Sequence, residues 1–181
     1  MKLLTYLAKM KGGGAGQQRS SGYEVFWSWL GSALGIGSCA LLSSLFFEPL
    51  DATLLIGSFG ASAVLVYAAI KSPLAQPRNL VGGHVVSALV GVAAYQGLGH
   101  IIWLAAALAV SLAIVAMLIT KTLHPPGGAT ALIAVIGSPE IHQLGFWFAL
   151  VPAGAGALVL LLIALIVNNL ATHRRYPEHW L

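Results

Sequence analysis

The stretch Leu123-His124-Pro125-Pro126-Gly127-Gly128-Ala129-Thr130-Ala131-Leu132-Ile133-Ala134-Val135-Ile136-Gly137 decides how the rest of the chain is read. Two consecutive prolines lack backbone N–H groups and disfavour helix in the residue before them, while two glycines accept dihedrals closed to other residues. The chain is expected to be extended through Gly127 and helical after Gly128. Nothing charged follows until Glu140, so the helical part belongs in an apolar setting.

That setting is a membrane. Of 181 residues, 58% are hydrophobic and 8% are charged, against roughly a quarter charged in a soluble domain. Too few charges remain to build a water-facing surface. A helix needs about 20 apolar residues to cross the ~30 Å hydrocarbon core, so the chain holds a handful of spans in one bundle. The net charge of +4 comes without a basic stripe, zinc spacing or aromatic reading motif, which argues against a nucleic-acid partner.

Working outward from the quoted stretch, spans are expected over residues 25–47, 52–70, 80–97, 101–119 and 145–167. The second is interrupted by Gly57-Ser58-Phe59-Gly60, and the last leads to a basic tail with His173, Arg174 and Arg175. In the first, Gly31, Gly35, Cys39 and Ser43 recur every four residues, which places small residues on one face where another helix can approach. Cys39, alone in the chain, reads as a packing residue. Residues 3–10 are too weakly apolar for a signal peptide, and 1–24 read as a flexible cytoplasmic tail.

The quoted stretch has an internal echo. Gly60-Ala61-Ser62-Ala63-Val64-Leu65 recurs as Gly128-Ala129-Thr130-Ala131-Leu132-Ile133, a displacement of 68 (128 minus 60) that also carries the third span onto the last. If both broken segments cross fully, each half has an odd number of crossings, and the second half is inverted relative to the first. The expected fold is an all-α membrane protein. About six crossing segments form two inverted three-segment repeats, near 25–97 and 101–168, with the second and fifth segments broken and a C-terminal tail over 169–181. This threading puts every Lys and Arg on one side, with Glu48, Asp51 and Glu140 on the other. Basic residues accumulate inside, so both termini are expected on the cytoplasmic side.

In the inverted arrangement the two broken segments start their helices opposite one another near mid-membrane. A helix start offers unpaired N–H groups and a partial positive charge, and so attracts anions. Gly60, Ala61 and Ser62 with Gly128, Ala129 and Thr130 are therefore candidates to bind a small monovalent anion, the Ser62 and Thr130 hydroxyls either donating to it or capping their own helices. His124, with Pro125, Pro126 and Gly127, is a candidate gate or proton-coupling site, and His84 in Gly82-Gly83-His84 is similar. The structural alternative for either histidine is a ring bonded to backbone at the interface. His100 reads as a loop residue. No cofactor or metal set is expected, since the five acids are scattered and none falls within a span.

The run His124-Pro125-Pro126-Gly127-Gly128-Ala129-Thr130-Ala131-Leu132 resembles the signature of the HPP family of small integral membrane proteins. The blocks Gly57-Ser58-Phe59-Gly60-Ala61-Ser62-Ala63 and Pro73-Leu74-Ala75-Gln76-Pro77-Arg78-Asn79 are similar to earlier blocks of that family. The likeness runs from about Val25 to Asn168. Gly127 stands where the family often carries alanine. The resemblance implies transport of nitrite, as described for cyanobacterial and chloroplast members, with a small anion and the bilayer as partners. A homo-oligomer is compatible with the small-residue faces. Two other classes compete: a non-transporting structural or regulatory subunit, and a membrane-embedded lipid enzyme, which the scattered carboxylates disfavour.

Overall fold

Residues 19–181 are described by a computed structural model, and every regular element among them is helical. Most of the expected N-terminal tail lies outside the described residues. Helix α1 (Gly22–Phe46) is capped by the Ser21 hydroxyl, which accepts from the Glu24 amide. Next come α2 (Pro49–Ala63), which continues as a wider π turn (Val64–Ala68), and then α3 (Pro77–Leu98) and α4 (Ile102–Ile119). The short α5 (Pro126–Ile136) and α6 (Pro139–Leu144) follow. Two irregular turns, Gly145–Ala149 and Leu150–Gly154, lead into α7 (Ala155–Leu170). Four of the described α-helices begin at proline: Pro49, Pro77, Pro126 and Pro139. A proline there loses no hydrogen bond, because the first N–H groups of a helix have no internal acceptor, and its fixed φ suits the first turn.

Among the described residues, five stretches are long and apolar enough to cross a membrane: α1, α2 with its π turn, α3, α4, and the run from α6 through α7. Contacts between the connections identify the two ends of the bundle. At one end Arg78 donates to the Thr120 carbonyl, the Tyr176 hydroxyl donates to the Ala75 carbonyl, and Arg174 pairs with Glu24. This end carries Lys71, Arg78, Lys121, Arg174 and Arg175. At the other, Asp51 in the first turn of α2 accepts from both the amide and the hydroxyl of Ser138, and Glu140 accepts from the same hydroxyl. Asp51, which is buried, and likewise Glu24 in α1 and Glu140 in α6 sit in the first turns of spans, which corrects the expectation that no acid lies in a span.

The segment after α4 joins these ends, so the quoted stretch does cross. Its eleven helical residues cover about 17 Å at ~1.5 Å each, and the extended residues before them cover the rest. The helix begins at Pro126 rather than after Gly128, because a proline is as well suited to a first helical turn as it is unsuited to an interior.

Two expectations are corrected. Residues Gly57 to Gly60 do not interrupt α2, which runs helically from Pro49 and turns irregular only at Val64–Ala68. Glycine lowers helix propensity by only about 1 kcal/mol, and neighbours on both sides override that. The last span, expected to be unbroken, is interrupted instead at Val151, which is extended ahead of Pro152, as the residue before a proline prefers. The segments α2 and α5 run antiparallel, as inverted halves require. The third elements of the two halves differ, α3 being continuous where the last span is interrupted at Val151.

Small residues draw the segments together. α3 packs against α4 and α5, and the buried Ala105, Ala109 and Ala113 of α4 line that contact. A side chain at Gly91 of α3 would strike the Ala131 carbonyl, and one at Gly127 would come within 2.7 Å of the Ser87 hydroxyl. The face expected on α1 is the one buried: Gly31, Gly35, Cys39 and Ser43, with Gly31 and Gly35 lying on the Tyr67 ring. Tyr67 has no exposure and donates to the Leu160 carbonyl. Gly35→Val, overlapping a ring that cannot move aside, should cost about 1–3 kcal/mol. Gly37→Ala, with open space around it, should stay within about 0.5 kcal/mol of the parent. Thermal unfolding in detergent checks the pair, and equal stability would contradict this packing.

Candidate functional site

Four of the residues singled out in the sequence meet in one buried cluster, joined by a fifth. Ser58 and Ser62 lie four residues apart on α2, so both point the same way. His84 comes from the second turn of α3, Thr130 from α5, and His124 from the extended residues before α5. All five are buried, with Ser62, His84 and His124 at 0% exposure. His84 bridges the two residues equated by the 68-residue displacement: its Nε2 lies 2.8 Å from Ser62 Oγ and its Nδ1 lies 2.7 Å from Thr130 Oγ1. Ser62 Oγ is also 2.9 Å from His124 Nε2, and Ser58 Oγ is 2.9 Å from Thr130 Oγ1. Phe59 closes one flank, its ring 5.4 Å from that of His84.

Donor and acceptor capacity fixes where the protons sit. His124 Nδ1 lies 2.8 Å from the Leu74 carbonyl, which only accepts, so Nδ1 carries a proton. With no carboxylate bonded to either ring, a charged imidazole would be buried without a counter-charge, at a cost of several kcal/mol. The resting rings are therefore neutral, and His124 Nε2 is an acceptor. Ser62 supplies the proton for it, so the Ser62 oxygen must accept from His84 Nε2–H. His84 Nδ1 then accepts from Thr130, and Thr130 accepts from Ser58. One directed chain results, Ser58 to Thr130 to His84 to Ser62 to His124 to Leu74 O, with every proton used once. The Pro126 carbonyl, 3.1 Å from Ser58 Oγ, stands ready to accept if the direction reverses.

The remaining candidates are placed differently. Ala61 and Ala129 are exposed and face away from the cluster, and Gly60 and Gly128 have room around them. No helix starts at Gly60. At the start of α5 the amides of Gly127 and Gly128 already donate to the carbonyls of His124 and Pro125. The expected pair of facing helix starts, with bare amides offered to an anion, is therefore not the arrangement observed. The reason is that α2 stays helical through its glycines. Pro125 is exposed, Pro126 contributes its carbonyl, and Gly127 presses against α3. His100 is an exposed loop residue, as expected. Ser58 was missed, although its spacing from Ser62 was visible. Arg174, expected only as a topology marker, is buried and donates to Asn168, Ser28 and the backbone of Tyr67 and Glu24. Among the described residues no cluster of three or more His, Cys, Asp or Glu is placed to hold a metal.

The model of the HPP family's transmembrane region matches residues 17–177. The chain belongs to the HPP family. It is 51% identical over 180 residues to a protein of Dictyostelium discoideum named as a transmembrane protein, covering 98% of this chain and 58% of that relative. A second transmembrane protein of Dictyostelium discoideum is 51% identical over 162 residues, covering 87% and 56%. This HPP chain thus spans a little over half the length of the curated relatives it matches. No solved structure matches it. It is an integral multi-pass membrane protein.

The proton assignment is open to measurement. Nitrogen-15 spectra of histidine-labelled protein in nanodiscs should show His124 protonated at Nδ1 and His84 at Nε2, identified by His→Gln variants. Two rings of the same tautomer would break the chain as drawn. Ser62→Ala leaves both Nε2 atoms without their shared partner and should destabilise the fold by about 1–3 kcal/mol, whereas the exposed Ser111→Ala should not.

Proposed function

We propose that this HPP protein is a transporter rather than an enzyme, and that it carries a small monovalent anion, nitrite foremost, across the membrane together with a proton. The observation that carries the reading is the fully buried chain from Ser58 to His124. Ionisable groups inside a membrane are costly, and chains of them are typical of proton pathways.

One added proton would reverse this chain. If His124 gains a proton on Nε2 it must donate to Ser62, and Ser62 then donates to His84 Nε2. His84 now holds its proton on Nδ1 and donates to Thr130. Thr130 donates to Ser58, and Ser58 turns to the waiting Pro126 carbonyl. The proton count rises by one and each bond remains made. The protonated state has a positive charge with no carboxylate to balance it, and a monovalent anion would supply that balance. Anion and proton each pay a desolvation penalty alone and offset it together, which couples them without a fixed cation that would hold the ion against release. The His124-to-Leu74 bond at the basic end is the natural gate.

The nitrite identity rests on the family resemblance, and the cluster favours it only as a small anion with a single charge. Charge placement supports both termini on the cytoplasmic face, and the family resemblance suggests a bacterial inner membrane as the setting. The small-residue face of α1, which favoured a subunit role, is taken up by Tyr67 within the same chain.

Purified protein in liposomes should take up nitrite faster than empty vesicles do, and an inwardly directed proton gradient should speed it further. His84→Gln and His124→Gln should fall to the rate of protein-free vesicles while remaining folded, and His100→Gln should be unchanged. Uptake indifferent to both histidines would remove the cluster from the mechanism. Uptake equal to that of empty vesicles across small anions would remove transport itself.

A further inference from the structure

At the basic end, beside the loop that covers His124, Arg78 and Lys121 line one cavity of about 350 Å³ with Asn79 and His179. Its other walls are the apolar side chains of Pro73, Met117, Leu118, Leu123 and Leu181. The ion pairs found among the described residues are those of Glu24 with His173 and Arg174, so neither Arg78 nor Lys121 is engaged in one. Arg78 is held in place by one bond to the Thr120 carbonyl, which leaves its other donors free. The cavity opens where α3 begins and α4 ends, and no side chain caps the start of α3, so the helix dipole adds positive potential there.

Lys121 gives an independent sign that its side chain matters. It follows the end of α4 with φ +57°, in the left-handed region. The Thr122 amide donates to the Met117 carbonyl and the Lys121 amide to that of Leu118. This is the helix termination in which glycine normally occupies the left-handed position. A lysine there carries strain that glycine would not, and strained residues persist where the side chain is used.

We propose that this cavity binds the phosphate of an anionic phospholipid from the surrounding leaflet, with Arg78 and Lys121 as its ligands. The observations favour a lipid over a soluble anion because the floor is apolar and continues onto the lipid-facing side of α4, where Leu118 is 57% exposed. Basic pockets between membrane helices on the positively charged side suit such headgroups. Bound lipid would clamp the start of α3, seven residues before His84, to the end of α4.

The test is thermal unfolding of the full chain in detergent with added lipid. Phosphatidylglycerol should raise the unfolding temperature by several degrees more than phosphatidylcholine does. Lys121→Gly relieves the strained backbone while removing the charge. It should therefore unfold no earlier than the parent in phosphatidylcholine, yet lose most of the phosphatidylglycerol response. Arg78→Gln should lose that response too, and Lys71→Gln, which lies outside the cavity, should keep it. Equal responses to the two lipids, or a full response in the Lys121→Gly and Arg78→Gln double variant, would overturn the proposal. Inorganic phosphate reproducing the whole shift would overturn the assignment to lipid. None of these readouts depends on nitrite transport.

Discussion

The bond from His124 Nδ1–H to the Leu74 carbonyl fixes the protonation pattern of five buried side chains. A carbonyl oxygen cannot donate, so the imidazole must, and each later partner has only one role left. The resting chain has one polarity for this reason. The same logic explains why a serine sits between the histidines. Two imidazoles in direct contact would fix one as donor and one as acceptor, whereas a hydroxyl can rotate and pass either direction. Their ring centroids lie 5.2 Å apart at a tilt of 58°, and both Nε2 atoms point to the one hydroxyl of Ser62.

Bringing those five groups together depends on the absence of side chains elsewhere. His124 lies against Gly83, where an added Cβ would overlap the His124 Cβ, and Thr122 lies within 2.6 Å of where one would stand at Gly82. Within a bilayer no difference in hydrophobicity drives helices together, so close backbone approach and hydrogen bonds must supply the attraction. Glycine and alanine on α3, α4 and α5 provide the first, and the hydroxyl and imidazole chain provides the second.

The membrane class, most span boundaries, the presence of a short helix following an extended approach, though not its start at Pro126, and the small-residue face of α1 were legible because composition and spacing carry them directly. Ser62, His84, His124 and Thr130 were legible as polar groups in apolar surroundings. Their meeting was not, because it depends on α2 staying helical through Gly57 and Gly60, and local propensity pointed the other way. The break at Val151-Pro152 has a sequence mark, a proline inside an apolar run, that the reading of 145–167 as one span left unused. The burial of Arg174 was hidden because its partners, Glu24, Ser28, Tyr67 and Asn168, are far apart in sequence or carry no common pattern.

A broken helix in hydrocarbon frees carbonyls that nothing in the lipid can satisfy, so the break must provide its own donors. Arg78 donates to the Thr120 carbonyl and Asn79 to that of Leu123, and the first amides of α5 take those of His124 and Pro125. The first turn of α3 is therefore what makes the extended approach to α5 tolerable. The loop above it is tied down as firmly. Gln76 donates to the carbonyls of Ile70 and Ser72 and accepts from the Glu178 amide, while Tyr176 holds Ala75. Withdrawing the Leu74 carbonyl from His124 would shift a loop anchored to the C-terminal residues, so any opening at this end must move residues 171–178 with it. The segment read at first as a basic tail is mechanically part of the cover over the histidine pair.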